Sequence, residues 1–328
     1  MNRGVLAASS GRPGERAREV GQQLRMGPVE WALLVLHSIL WGSAFFLVAV
    51  ALAELPPISV ATLRLFPAAA TLALVSIALG LRFPATVREW RRFLLLAAFN
   101  NFIPFVLIAF GQLEVTGGLA AIFNATAPLF AVLIAHVVTT DDRLTPAKVV
   151  GILMGIAGVA VLVAPAIGGG ASLAAYAALL AAPLCYAIAG NYARRLGGYP
   201  PIMVSTAQMT GALVLSVPTM LIVDRPWSLP MPSLTTWGAL GALGLLASAA
   251  ASMVYFTILR RAGATNALLV TLIMPLTPIV LGGAFLSERI TAREAIGALV
   301  IGAALVIIDG RVIKSAARVL GTQRRGGE

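Results

Sequence analysis

Trp31–Ala53 reads WALLVLHSILWGSAFFLVAVALA, a stretch without a single acid, lysine or arginine. Rising about 1.5 Å per residue, a helix of this length crosses the roughly 30 Å hydrocarbon core of a bilayer. The stretch has no polar face to turn toward water, so lipid suits it better than the surface of a soluble domain. The pattern then recurs. Apolar runs follow at Ile58–Gly80, Phe93–Gly111, Gly118–Val138, Val149–Pro165, Ser172–Gly190, Ile202–Val223, Trp237–Leu259, Thr265–Leu286 and Ala295–Ile308. Turn-forming pieces separate them, among them Pro56-Pro57, Asp141-Asp142, Gly168-Gly169-Gly170, Gly197-Gly198 and Pro230-Met231-Pro232. The sequence therefore predicts an all-α integral membrane fold with ten transmembrane helices, successive ones antiparallel.

Composition agrees, since 59% of the 328 residues are hydrophobic and 11% charged, against about 25% charged in a soluble domain. A net charge of +11 would suit nucleic acid if it formed a patch interleaved with aromatics. Here the arginines sit in the tails and in short connections, so the expected partners are the lipid bilayer and a small-molecule substrate, with no nucleic acid. Lysine and arginine are retained on the cytoplasmic side. With the N-terminus inside, the inner segments hold Arg82, Arg88, Arg91, Arg92, Arg143, Lys148, Arg194, Arg195, Arg260 and Arg261, and the outer ones only Arg225, Arg289 and Arg293. Both termini are expected in the cytoplasm of a cell with this protein in its plasma membrane.

The halves repeat one another. Pro56-Pro57-Ile58 with Val60 and Thr62 matches Pro200-Pro201-Ile202 with Val204 and Thr206. Phe110/Phe256, Leu113/Leu259, Gly117/Gly263, Arg143/Arg289, Thr145/Thr291 and Gly151/Gly297 share one offset. With five spans in each half, the second repeat is inserted upside down relative to the first, the plan of many secondary transporters. The expected organisation is a cytoplasmic tail at 1–30, a first five-helix repeat at 31–165, a second at 171–309 and a cytoplasmic tail at 310–328. The two repeats are expected to enclose a central cavity.

Several motifs then point to a family. Trp41-Gly42-Ser43-Ala44-Phe45 resembles the W-G-S-x-F signature of the ten-helix EamA-type branch of the drug/metabolite transporter superfamily, and Pro57, Ala61 and Arg64 resemble the start of its second helix. In each half a proline-bearing helix precedes an acidic-basic turn and a glycine-bearing helix: Pro128, Asp142-Arg143-Leu144-Thr145 and Gly151, then Pro275, Glu288-Arg289-Ile290-Thr291 and Gly297. The resemblance covers residues 31–309. It implies two interlocked repeats around a cavity, alternating access and, in many members, export of amino acids or other metabolites. One departure is Asp141-Asp142, where the family usually has a glutamate.

Enzymatic readings fail on inventory. The chain has no H-E-x-x-H, G-x-S-x-G or G-x-x-x-x-G-K-[ST] motif, and its only lysines are Lys148 and Lys314. His37, His136 and the lone Cys185 offer neither a catalytic zinc set nor a disulfide. No enzyme activity, metal or cofactor is expected, and transport energy must come from a gradient.

Polar groups within a span are tolerated where they face a cavity or a partner, so they are the candidate site residues. Trp41 could stack on a substrate or pack between helices, and His37, four residues earlier on the same face, could do either. Arg64 could receive a substrate carboxylate in a fork, pair with Glu54 or Glu114, or snorkel outward. Asn101 and Asn124 could bind substrate or join helices, and Tyr186 and Tyr255 are the second-half candidates. The reading is a gradient-driven transporter of small organic metabolites, an exporter of amino acids or related compounds. The alternatives are a facilitative channel and a non-transporting membrane receptor or enzyme.

Overall fold

The structure, a computed structural model, describes residues 26–138, 145–165, 170–193, 196, 198–267 and 269–309. The Asp142-Arg143-Leu144 turn, Gly168-Gly169, Arg194-Arg195, Gly197 and most of both tails fall outside the described residues. Among the described residues the secondary structure is helical throughout, with no strand. Eight helices are long and apolar enough to cross a membrane: α1 (Pro28–Leu52), α2 (Pro57–Ala78), α3 (Val87–Gly111), α4 (Gly117–Val137), α5 (Pro146–Val163), α6 (Leu173–Ala193), α7 (Pro201–Val223) and α8 (Leu234–Gly263). A shorter apolar segment, α9 (Val270–Phe285), follows, and then α10 (Ala292–Asp309). The last carries Arg293, Glu294 and Asp309 at its ends. Large apolar side chains such as Leu74, Leu153, Ile156, Val214, Ile222, Val280 and Leu299 face outward, as a lipid-facing surface requires. The protein is a multi-pass membrane protein.

Local chemistry sets the ends. Thr86 caps α3 and exchanges hydrogen bonds with Glu89, so this helix begins at Val87, six residues before its apolar run at Phe93. Ser233 caps α8 in the same way, its hydroxyl accepting from the Thr236 N–H at 3.3 Å. Pro183 and Pro218 lie inside unbroken helices, whereas α4 is interrupted at Ala125-Thr126, just before Pro128, and α9 between Ile273 and Leu276. Two wider turns interrupt the α-helical register, at Ala98–Phe102 in α3 and at Leu245–Ala250 in α8.

α5 and α10 pack together and antiparallel. A Cβ on Gly151 would lie 2.5 Å from Ile308 Cγ1, and one on Gly158 would lie 2.8 Å from Ile301 Cγ1 and 3.2 Å from the Gly297 carbonyl. Absent side chains thus let two backbones approach. α1 sits at the centre, with α8, α9 and α4 packed around it. Gly42 makes the closest approach, since a Cβ there would be 2.6 Å from the Met274 carbonyl of α9.

Four carboxylates at helix ends reach the starts of other helices. Glu54, after α1, accepts from the Ser233 N–H at 2.6 Å. Asp224, after α7, accepts from the Ser59 N–H and hydroxyl, both at 2.7 Å. Glu114, after α3, accepts from the Ser172 N–H at 2.5 Å and its hydroxyl at 2.7 Å. Glu288, after α9, accepts from the Gly117 N–H at 3.4 Å. Each joins the end of an odd-numbered helix to the start of an even-numbered one, so alternation along the chain gathers all four at one end of the bundle. The N–H groups that open a helix lack intrahelical partners, and a carboxylate suits both them and the local dipole.

Candidate substrate-binding site

A small cavity opens between α1, α2, α3, α4 and α6, lined by Trp41, Ala44, Phe45, Val48, Arg64, Phe105, Ile108, Asn124 and Tyr186. Its walls are mostly apolar. Arg64, Asn124, Tyr186 and the Trp41 indole supply the polar groups.

Arg64 stands at an interruption of α2, between helical segments Pro57–Leu63 and Leu65–Ala78. Pro67, three residues on, has no N–H to give to the Leu63 carbonyl, which helps open the turn. Gly244 of α8 presses against this point, and a Cβ on it would lie 2.6 Å from the Arg64 carbonyl oxygen. Four residues further along α8, within its wide turn, Ser248 accepts a hydrogen bond from Arg64 Nη2 at 3.1 Å. The Ser248 hydroxyl in turn donates to the Leu243 carbonyl at 2.8 Å. On the other side the guanidinium carbon lies 4.2 Å from the centre of the Phe105 ring, a cation–π contact. The side chain is 5% exposed, and its Nε has no partner.

Asn124 ends the first segment of α4 and is buried, its Oδ1 unpartnered. Pro128 cannot supply the N–H that would normally reach the Asn124 carbonyl, so two acceptor oxygens belong to one residue. Trp41 enters from α1. Beside it His37 is sandwiched, 5.2 Å from the Trp41 ring centre and 5.6 Å from that of Tyr255.

The structure thus brings Trp41, Arg64, Asn124 and Tyr186 to one cavity, with His37 in tilted ring contact with Trp41 on one side and Tyr255 on the other. It does not bring Asn101 there. Asn101 donates from Nδ2 to the Met209 sulfur at 3.5 Å, while Asn100 donates to Gln208 Oε1 at 3.0 Å. Both amides tie the wide turn of α3 to α7. Neither Glu54 nor Glu114 pairs with Arg64, because both are held at helix starts. Sequence reasoning misses Phe105 and Ser248. Ser248 reads as a small packing residue in sequence, and the wide turn that aims it at Arg64 has no compositional mark.

The site holds no nucleophile beside a base. Among the described residues, no group of three or more His, Cys, Asp or Glu stands close enough together to hold a metal. Its arrangement suits binding: an apolar pocket with a few convergent polar groups.

Residues 30–164 and 173–309 each match the model of the EamA-like transporter family. The chain is similar to an uncharacterized transporter of Archaeoglobus fulgidus, 28% identical over 273 residues that make up 82% of this chain and 94% of that one. It is likewise 28% identical to the uncharacterized inner membrane transporter YedA of Escherichia coli, covering 86% of this chain and 91% of the relative. A shorter match, 33% identical over 45% of this chain and 48% of the other, is to a protein of Streptantibioticus cattleyicolor named "Probable terminal-alkyne amino-acid exporter". One solved crystal structure shares the fold at a TM-score of 0.60 and 21% identity, covering 86% of this chain and 96% of that chain.

Proposed function

We propose that this chain, which belongs to the EamA-like transporter family, is a gradient-driven exporter of small organic metabolites, amino acids or related compounds. The observation that carries the reading is the convergence of Trp41, Arg64, Asn124 and Tyr186 from four different helices on one apolar cavity. A site assembled from many helices can be opened to either side by rocking one group of helices against another.

In this reading ten helices cross the membrane as two inverted five-helix repeats, 31–165 and 171–309, with both tails in the cytoplasm of a cell bounded by this membrane. Several internal likenesses support the inversion. The wide turns of α3 and α8 occupy corresponding places in the two halves, as do the interruptions of α4 and α9. Glu114 at the end of α3 holds the start of α6. Correspondingly, Arg261 near the end of α8 donates to Glu30 at the start of α1 at 2.9 Å. The excess of arginine in alternate connections supports the orientation. Export rests on the named exporter among the relatives. Among the described residues, carboxylates stand at helix ends rather than in mid-span. The driving force is therefore the substrate's own gradient or, secondarily, protons carried through His37.

The test is flux of radiolabelled amino acids from proteoliposomes containing only this protein. Saturable flux stimulated by unlabelled substrate on the opposite side is expected. Saturable flux without that stimulation would favour a channel, and absence of flux across a metabolite panel would overturn the transporter reading.

A further inference from the structure

We infer that the central cavity is a receptor for compact organic monocarboxylates with an apolar body, and that Arg64 is the residue that takes the carboxylate; this rests on the cavity's being the transport site. A guanidinium taken out of water carries a heavy desolvation cost unless an anion and further hydrogen bonds offset it. Arg64 is 5% exposed, yet among the described residues its partners are neutral groups, the Ser248 hydroxyl and the face of Phe105, with the Tyr186 phenol near by.

Among the acids whose side chains are described, none can become its counter-ion without giving up another contact. Glu54, Glu114, Asp224 and Glu288 are bound at Ser233, Ser172, Ser59 and Gly117. Glu30 is bound to Arg261, Glu89 to Thr86, and Glu294 to the Thr291 N–H. Those side chains therefore leave the counter-charge to a ligand.

The shape of the pocket selects the rest of the ligand. Nε and the neighbouring edge of a guanidinium form the planar fork that suits a carboxylate, and here Nε is buried without a hydrogen-bond partner among the described residues. The walls, Ala44, Phe45, Val48, Phe105 and Ile108, are apolar, so they favour a hydrocarbon or aromatic body. One cation balances one negative charge, and a dianion would leave a second charge unpaired in a medium that cannot solvate it.

Four probes separate the elements of this inference: 3-phenylpropionate, its alcohol 3-phenylpropanol, its amine 3-phenylpropylamine, and inorganic phosphate. Each is titrated into the purified full chain in neutral detergent, with calorimetric binding and thermal stabilisation as readouts. The carboxylate should bind at least about tenfold more tightly than the alcohol, and the amine and phosphate should not stabilise the protein. Arg64→Met should remove the preference for carboxylate over alcohol. Arg64→Lys, which keeps the charge and loses the fork, should retain a weaker preference. Without ligand, Arg64→Met should be at least as thermally stable as the native chain, since it replaces an unpaired buried charge with an apolar group of similar length.

Amine or phosphate binding equal to that of the carboxylate would overturn the inference, as would a carboxylate preference that survives in Arg64→Met. Binding of none of the four would overturn it even where metabolite flux is measured. Conversely, carboxylate binding through Arg64 without flux would leave this inference standing and remove the transporter reading.

Discussion

The Glu114 carboxylate holds Ser172 with both oxygens, accepting from its backbone N–H at 2.5 Å and its hydroxyl at 2.7 Å. Ser172 precedes α6 and its hydroxyl also accepts from the Ala175 N–H at 3.2 Å, so one carboxylate connects the end of α3 to the cap of α6. Those hydrogen bonds, the backbone one foremost, hold the Glu114 carboxyl below its ordinary value. Glu54 is held low in the same way by the Ser233 hydroxyl and N–H. A carboxyl with a lower pKa in the folded state is more protonated when unfolded, so stability rises with pH through that window. Its contribution is complete above the ordinary carboxylate range and disappears as pH falls through the lowered folded value. Glu114→Gln is therefore expected to melt below the native chain at neutral pH, with the gap closing below about pH 4. Melting curves across pH check this, and a constant gap would show that the charge is not involved.

Much of this arrangement is legible in the sequence, and the reason it stops is specific. Hydropathy locates the spans because lipid demands long apolar helices, and Arg64, Trp41, Asn124 and Tyr186 draw notice because polar groups in a span are costly. The partners of those groups are harder to read. Glu54 and Glu114 look like counter-ions for Arg64 by charge alone, but the open N–H groups at the starts of α8 and α6 compete for them and win. Asn100 and Asn101 look alike as mid-span amides. The wide turn at Ala98–Phe102 changes the rotation of α3 there, and both amides end against α7.

That placement separates Asn101 from Asn124 in what their loss is expected to do. Asn124→Ala and Trp41→Ala should raise the half-saturation concentration of flux several-fold or abolish it, with the yield of folded protein unchanged. Asn101→Ala should lower yield and melting temperature, because it removes the contact to Met209 between α3 and α7, while transport by the surviving protein keeps its half-saturation. Size-exclusion profiles measured beside proteoliposome flux distinguish the two, and a changed half-saturation in Asn101→Ala would move that residue into the transport path.

Gly244 fixes how closely α8 approaches α2 at Arg64. A Cβ there would strike the Pro67 ring and the Arg64 carbonyl, and such overpacking costs about 1–3 kcal/mol. Gly241, one turn earlier, has open space within 4 Å of a Cβ, so alanine there should be neutral or stabilise by up to about 1 kcal/mol through helix propensity. Paired denaturation of Gly244→Ala and Gly241→Ala tests this, and equal effects would show that the close approach is not limiting.

Orientation follows from two exposed positions in opposite connections. Val87 opens α3 and is 79% exposed, and Trp227, between α7 and α8, is 72% exposed. The native Cys185 is buried, so labelling background should be low. In intact cells, an impermeant maleimide should modify Trp227→Cys and leave Val87→Cys unmodified until the membrane is opened. The reverse pattern would invert the proposed topology, and labelling of both would indicate dual insertion.

A proton carrier in a transporter needs a group that meets water on each side in turn and finds a stabilising partner when charged. His37 is 2% exposed, packed between the rings of Trp41 and Tyr255, and no charged group among the described residues partners it. The four carboxylates at Glu54, Glu114, Asp224 and Glu288 are engaged at one end of the bundle, away from the cavity lining. Transport should therefore run down the substrate's own gradient. An imposed pH gradient across proteoliposomes should produce no accumulation, for the native chain and for His37→Gln alike. Accumulation by the native chain that is lost in His37→Gln would assign the proton to His37. Accumulation that persists in His37→Gln would place coupling at the end carboxylates, where Glu54→Gln and Glu114→Gln would then be expected to abolish it.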